Sequence, residues 1–179
     1  MALTDLALLD QFAASPFPPD TVADRRTFYS PVDQVHAALL EVVKSATLSL
    51  DCAMYGFDDD DLATVIFGHL NDPNVTVRLT LDSSQAGGKH EKALLAAHGT
   101  NGNIIAIGRS EKGAIMHMKC IVLDGQTTVQ GSTNWSDGGE AKQDNECTII
   151  VDRAHAARAT ARISTIHAHM LGATTGGTP

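Results

Sequence analysis

Between Met116 and Val151 the chain sets polar residues in pairs along otherwise apolar strands, and this pattern constrains the fold more than any other feature. The stretch runs Met116-His117-Met118-Lys119-Cys120-Ile121-Val122-Leu123-Asp124-Gly125, and after a short turn Gly131-Ser132-Thr133-Asn134-Trp135-Ser136. Asn145-Glu146 then opens a last apolar run, Cys147 to Val151. The first and last parts are rich in Val and Ile and bounded by turn residues, so they read as strands. Side chains alternate faces along a strand, so His117 and Lys119 share one face. Ser132 and Asn134 stand in the same relation on the next segment. Buried polar groups cost free energy unless satisfied, so such pairs face each other or a ligand.

With 179 residues, 43% of them hydrophobic and 19% charged, the chain is long enough to bury a core as one soluble domain. No stretch reaches the roughly 18 apolar residues that span a bilayer. Met1 to Ala14 carries Asp5 and Asp10 and no basic residue, a poor secretory signal. Cys52, Cys120 and Cys147 sit in apolar runs and read as reduced thiols, which points to the cytoplasm. The net charge of −8 argues mildly against nucleic acid, but residues 1–61 carry all of it, with 11 acids against 3 bases. From 86 to 123, Lys89, Lys92, Arg109, Lys112 and Lys119 oppose only Glu91 and Glu111, a locally positive stretch beside the polar pairs.

Along the chain, Thr4–Ala13 reads as a short helix and the three-proline stretch Ser15–Asp20 as a connector. Ser30-Pro31-Val32-Asp33 has the form of a helix start with a serine cap, and Val35, Leu39, Val42 and Val43 form the apolar stripe of the helix to Lys44. Strands are expected at Thr47–Met54, Val75–Leu81 and Ile104–Ile107. A helix is expected from Asp58–Asp61 to Leu70, its acids capping the positive end rather than binding a cation. Ser83–Gly88 leads into a helix, Lys89–His98. Amides there have the chemistry to cradle a phosphate, but one Gly-Gly before a helix is a weak signal and a plain loop is the favoured reading. Asp152–Leu171 reads as a helix with Arg153, Arg158 and Arg162 outward. The order predicts an α/β fold, a mixed sheet with helices on both faces. It divides into an N-terminal extension (1–27), a catalytic domain (28–171) and a flexible tail (172–179).

Seven of the eight histidines have ordinary explanations. His167 and His169 do not share a helix face, and His36, His69, His90, His98 and His155 stand without a carboxylate or thiol at ligand spacing, so no metal site is expected. His117 differs because Lys119 and then Ser132 and Asn134 accompany it. Neutral imidazole is a competent nucleophile near pH 7. Ammonium and amide donors neutralise phosphate oxygens in a transition state. The residues therefore suit phosphoryl transfer, except that a second group must protonate the leaving oxygen.

His117-x-Lys119-x4-Asp124 followed by Gly131-Ser132-x-Asn134 resembles the HKD signature of the phospholipase D superfamily. Tyr29-Ser30-Pro31, Ser49-Leu50-Asp51 and Asp61-Leu62-Ala63 extend the likeness to small single-motif members, over roughly residues 28–170. The resemblance implies a two-fold homodimer in which both His117 residues meet at one metal-independent, cofactor-free site. One would form a phosphohistidine and the other would serve the leaving oxygen and then water. It implies that Lys119 and Asn134 hold phosphate oxygens, that Ser132 supports that pocket, and that Glu146 orients His117. Asp124 is implied to be structural at the motif's turn, and is retained as a candidate catalytic residue; Lys89 is a candidate substrate contact. The zinc-binding insertion of some mitochondrial-type members is absent. Trp135 reads as core packing before base stacking.

Three functions stay open: a nuclease acting on DNA or RNA, a lipid phosphodiesterase, and a non-catalytic phosphate-binding scaffold. The single motif, the missing amphipathic segment and an aromatic content of 4% favour the first, without stable membrane association.

Overall fold

Alternation of Val, Ile and Leu with polar turns builds one mixed sheet. The computed structural model describes residues 3–85, 92, 93, 96 and 104–175. Seven strands are present: β1 (Arg25–Ser30), β2 (Ser49–Met54), β3 (Thr76–Asp82), β4 (Ile105–Gly108), β5 (Lys119–Leu123), β6 (Thr127–Gly131) and β7 (Asn145–Val151). They lie in the order β1-β7-β6-β5-β2-β3-β4. The pairs β2–β3 and β3–β4 are parallel, and the other four are antiparallel. The helices are α1 (Val35–Lys44), α2 (Asp60–Asn71), α3 (Asp137–Ala141) and α4 (Arg153–Thr175), with a 3-10 helix at Leu6–Phe12. Among the described residues no helix is long and apolar enough to cross a membrane.

One face of the sheet packs on α1 and α2. Val35, Ala38, Leu39, Val42 and Val43 meet Leu50, Cys52, Ile121 and Ile149 there, each full burial worth about 1.5–3 kcal/mol. The other face packs on α4, whose Ala156, Ile163, Ile166 and Met170 cover Ala53, Cys120 and Val122. The expected mixed sheet with helices on both faces is therefore what forms. Leu6 and Leu9 are wholly buried in the first core, and Arg26 ties that N-terminal turn down through Asp10, Nε to Oδ1 2.5 Å.

Several local expectations change. Ser30 is not a helix cap. It ends β1, a strand the sequence reading lacked, and its buried hydroxyl donates to Gln143 O at 2.7 Å. The α1 helix begins at Val35 with no side-chain cap, while Asp33 accepts from Tyr29 N at 2.7 Å. Asp59, by contrast, caps α2 as expected, accepting from Leu62 N at 2.6 Å. The last helix continues through Thr175, past the expected end at Leu171. The loop at 86–88 and most of the helix expected at Lys89–His98, Lys89 included, lie outside the described residues.

Asp124 belongs to the fold. With Gly125 it takes positive φ, 52° and 63°, at the centre of the β5–β6 turn, as Asp-Gly favours. Its carboxylate accepts from the amides of Thr47 (3.1 Å), Leu48 (2.8 Å) and Ser49 (3.0 Å), where the chain enters β2. Burial raises this carboxyl's pKa, but the bonds from Ser49, Leu48 and Thr47 outweigh it and hold the pKa below the ordinary range. A depressed carboxyl stabilises the fold above its unfolded pKa, about 3.9, and that contribution is lost as pH falls through the lower folded value. Asp124→Ala is expected to cost about 2 kcal/mol at neutral pH, read by urea denaturation. The gap to wild type should shrink as the pH drops below about 4.

Candidate active site

The topology brings the end of β2, the end of β3, the start of β5, the end of β6 and the start of β7 to one end of the sheet. Met54 pairs with Lys119, Cys120 with Gln130 and Gly131 with Cys147. Lys119, Gly131 and Glu146 therefore lie on adjacent strands, roughly 5 Å apart per step. Ser132 joins them, its amide donating to Glu146 O at 3.0 Å and its hydroxyl accepting from Glu146 N at 3.0 Å. Asp124 sits at the other end of β5, roughly 16 Å away along the strand.

His117 is exposed at the mouth of this end. The ring of Tyr55, the residue after β2, packs against its imidazole edge-on at 4.6 Å between centroids. Lys119 is buried to 7% exposure. Its ammonium donates to His117 O at 3.0 Å and lies 4.9 Å from the Tyr55 ring centre. Among the described residues no carboxylate lies within ion-pair distance of it, so donor capacity remains for an anion. Burial lowers its pKa. Asp82, fully buried at the end of β3, holds the segment before His117 by accepting from Met116 N at 2.6 Å. The same carboxylate accepts from Ser84 N at 2.8 Å and Ser84 Oγ at 2.5 Å.

Asn134 is held through the residue that follows it: Trp135 N donates to Gly56 O at 2.9 Å, and Asp58 N to Trp135 O at 2.6 Å. Its Oδ1 is buried without a hydrogen-bond partner, packed over Gly56, where a Cβ would lie 3.1 Å from Asn134 Cγ. Asn134 lines neither of the two hollows described below. Trp135 is core, 2% exposed and edge-on to Phe57 at 5.5 Å. Ser132 donates to Asn145 Oδ1 at 2.9 Å. Glu146 accepts from Thr148 Oγ1 at 2.9 Å, so the carboxylate expected to orient His117 turns to its own strand.

An open cleft of about 510 Å³ joins His117, Lys119 and Glu146 to His155, Arg158 and Arg162 of α4. Ser132 instead borders a second hollow with Tyr29, Asn145 and Glu146. The arginines are exposed as expected, and the structure adds that Arg158 and Arg162, with His155, edge this cleft. With Ala159 they stand at i, i+3, i+4 and i+7, one helix face, and that spacing was available to find them. His155 Nε2 lies 3.1 Å from Gln130 Oε1, and Arg162 pairs with Glu111 at 2.8 Å. Tyr55 and Asp82 were also missed, and neither has a local signal. His69 and His167 do have structural partners, Val43 O and Thr80 Oγ1, each at 2.9 Å.

An exposed imidazole beside a buried ammonium, in a cleft edged by arginines, is equipped to bind and attack a phosphate ester. A family model described as cardiolipin synthase, PLD-like domain, matches residues 39–167, and the chain belongs to this phospholipase D-like family. It is 28% identical over 127 residues to the mitochondrial cardiolipin hydrolase of Chlamydomonas reinhardtii, covering 69% of this chain and 53% of that protein. The chain thus spans about half the length of that curated relative. Its fold is similar to that of Nuc from Salmonella typhimurium, a phospholipase D family member (TM-score 0.68, 20% identity, 81% of this chain and 94% of that one). NucT from Helicobacter pylori is similar too (TM-score 0.65, 18% identity, 79% and 94%).

At Gly131 a Cβ would fall 2.0 Å from Glu146 O, so the strand end cannot hold its register with a side chain there. Gly131→Ala is expected to cost about 3 kcal/mol and to abolish binding of inorganic phosphate, followed by thermal melting and calorimetry. Phosphate binding by the wild type should fade on the alkaline side with a midpoint below the ordinary lysine value of about 10.4. A midpoint at that value would contradict the buried placement of Lys119.

Proposed function

We propose that the chain is a metal-independent phosphodiesterase that cuts DNA or RNA from a homodimeric site. The observation that carries this reading is the pairing of exposed His117 with the buried ammonium of Lys119, which has no carboxylate partner among the described residues, in the α4-lined cleft. His117 attacks phosphorus; a P–N bond forms as the bond to the leaving oxygen breaks. That oxygen takes a proton from the second chain's copy of His117, which then accepts a proton from the water that opens the phosphohistidine. Lys119 and the Asn134 amide nitrogen stabilise the non-bridging oxygens, and Ser132 braces the strand end beneath them. Glu146 lies in the same cleft, where its carboxylate would turn to His117 once substrate and the second chain close the site. Arg158 and Arg162 give a polyanion a path beyond the scissile phosphate, which favours a polymer over a single headgroup. Lys89, a candidate substrate contact in the sequence, lies outside the described residues.

A second reading, cleavage of a lipid phosphodiester, is favoured by the likeness to a cardiolipin hydrolase and by exposed apolar residues, Tyr29, Val32 and Ile115.

The test compares single-stranded DNA, RNA and cardiolipin vesicles in EDTA, wild type beside His117→Ala. Expected is cleavage of nucleic acid by wild type and a loss of about 10³-fold in the variant. Vesicle cleavage alone would select the lipid reading, and no turnover of any substrate would select a phosphate-binding scaffold. A purified heterodimer of wild-type and His117→Ala chains should show background activity. Half of wild-type activity would place each site within one chain.

A further inference from the structure

His36, Asp59 and Glu140 come from α1, the cap of α2 and α3, and folding brings one donor atom of each within 4.8 Å of the others. The sequence reading found no carboxylate near His36 because these partners are 23 and 104 residues away. His36 Nδ1 lies 2.6 Å from Glu140 Oε2 and 3.0 Å from Asp59 Oδ2. On the other side of the ring, Nε2 lies 3.3 Å from Asp61 Oδ2. We propose that His36, Asp59 and Glu140 form a structural site for a divalent transition-metal ion, Zn²⁺ or Mn²⁺.

The donor groups are prepared for an ion. With an ion bound at Nδ1, the remaining ring proton would sit on Nε2, where Asp61 Oδ2 lies 3.3 Å away to accept it. This is the carboxylate–histidine–metal arrangement that fixes a ligand's tautomer. Asp59 spends Oδ1 on the amide of Leu62 at 2.6 Å, so Oδ2 is the atom turned to the cluster. Glu140 is 2% exposed, and its Oε1 is buried without a hydrogen-bond partner. A proton on Nδ1 would satisfy one oxygen and leave Oε1 orphaned in a low-dielectric place. An ion bound to both Glu140 oxygens, Asp59 and His36 satisfies all of them. One imidazole and two carboxylates suit Zn²⁺ or Mn²⁺ better than the all-oxygen preference of Mg²⁺ or Ca²⁺. Metal bonds of about 2.0–2.2 Å in a tetrahedron set neighbouring donors roughly 3.3 Å apart. Ion entry therefore parts His36 and Glu140 by roughly 0.7 Å. The ion would brace α3, whose Gly139 carbonyl accepts from Asn145 Nδ2 at 3.0 Å, and so steady the segment between Asn134 and Glu146. It takes no part in phosphoryl transfer.

The full chain, stripped with chelator and dialysed, is titrated with Zn²⁺, Mn²⁺ and Mg²⁺ by calorimetry and thermal melting. Expected is one Zn²⁺ or Mn²⁺ per chain with a rise in Tm, and no comparable response to Mg²⁺. Glu140→Gln and Asp59→Asn should each weaken binding by about tenfold or more, and His117→Ala should leave it unchanged. X-ray absorption of the wild-type zinc form needs no variant to fold: it should show nitrogen and oxygen neighbours with one imidazole. No stoichiometric ion, binding indifferent to Glu140→Gln and Asp59→Asn, or sulfur neighbours would overturn the site.

Discussion

The register of β5 against β2 is the constraint on which the candidate site depends. A slip of one residue would turn Lys119 to the other face of the sheet and move His117 with it. Asp124 opposes that slip. It sits just beyond β5 and binds three successive amides of the chain entering β2, so the pairing of Met54 with Lys119 is set from the far end of the strand. The aspartate that reads as part of a catalytic motif thus belongs to the far end of the strand, about 16 Å of paired backbone from Lys119. The near end has its own lock: Gly131 lets Glu146 O approach where no Cβ fits. Between these two points the apolar side chains of β5 fill both cores, Ile121 and Leu123 on one face, Cys120 and Val122 on the other. A charged side chain survives in such a strand only at its open end, which is where Lys119 stands.

Much of this was legible in the chain. Strands with Val and Ile between turn signals were placed within a residue or two, because burial on both faces leaves little freedom in composition. Two strands were not placed: β1, Arg25–Ser30, whose charged residues hide an edge strand that packs on one side only, and β6, Thr127–Gly131, which runs where a short turn was expected, so that Ser132 and Asn134 stand beyond its end. Ser30-Pro31 imitates a helix start, yet Ser30 is buried against α3, a long-range partner no local rule supplies. The site divides the same way. His117, Lys119, Ser132 and Asn134 announce themselves by spacing within two neighbouring segments. Tyr55, Asp82 and the His36 cluster do not, since each reaches its partners through the sheet or between helices. Arg158 and Arg162 carried a helical spacing, but deciding which face meets the sheet required the packing of Ile163 and Met170.

Charge distribution explains how a chain of net charge −8 can hold a cleft for phosphate. The acidic run Asp58–Asp61 opens α2, on the face opposite α4. The cleft's own charged groups are Lys119, Arg158 and Arg162 against Glu146 and the Glu111 that pairs with Arg162. The acids on the other face serve different ends. They cap α2 at its positive end, and Asp59 and Asp61 gather around His36. The cleft with Lys119 and the carboxylates around His36 thus lie in different parts of the fold, with the segment between Asn134 and Glu146, which carries Glu140, running between them.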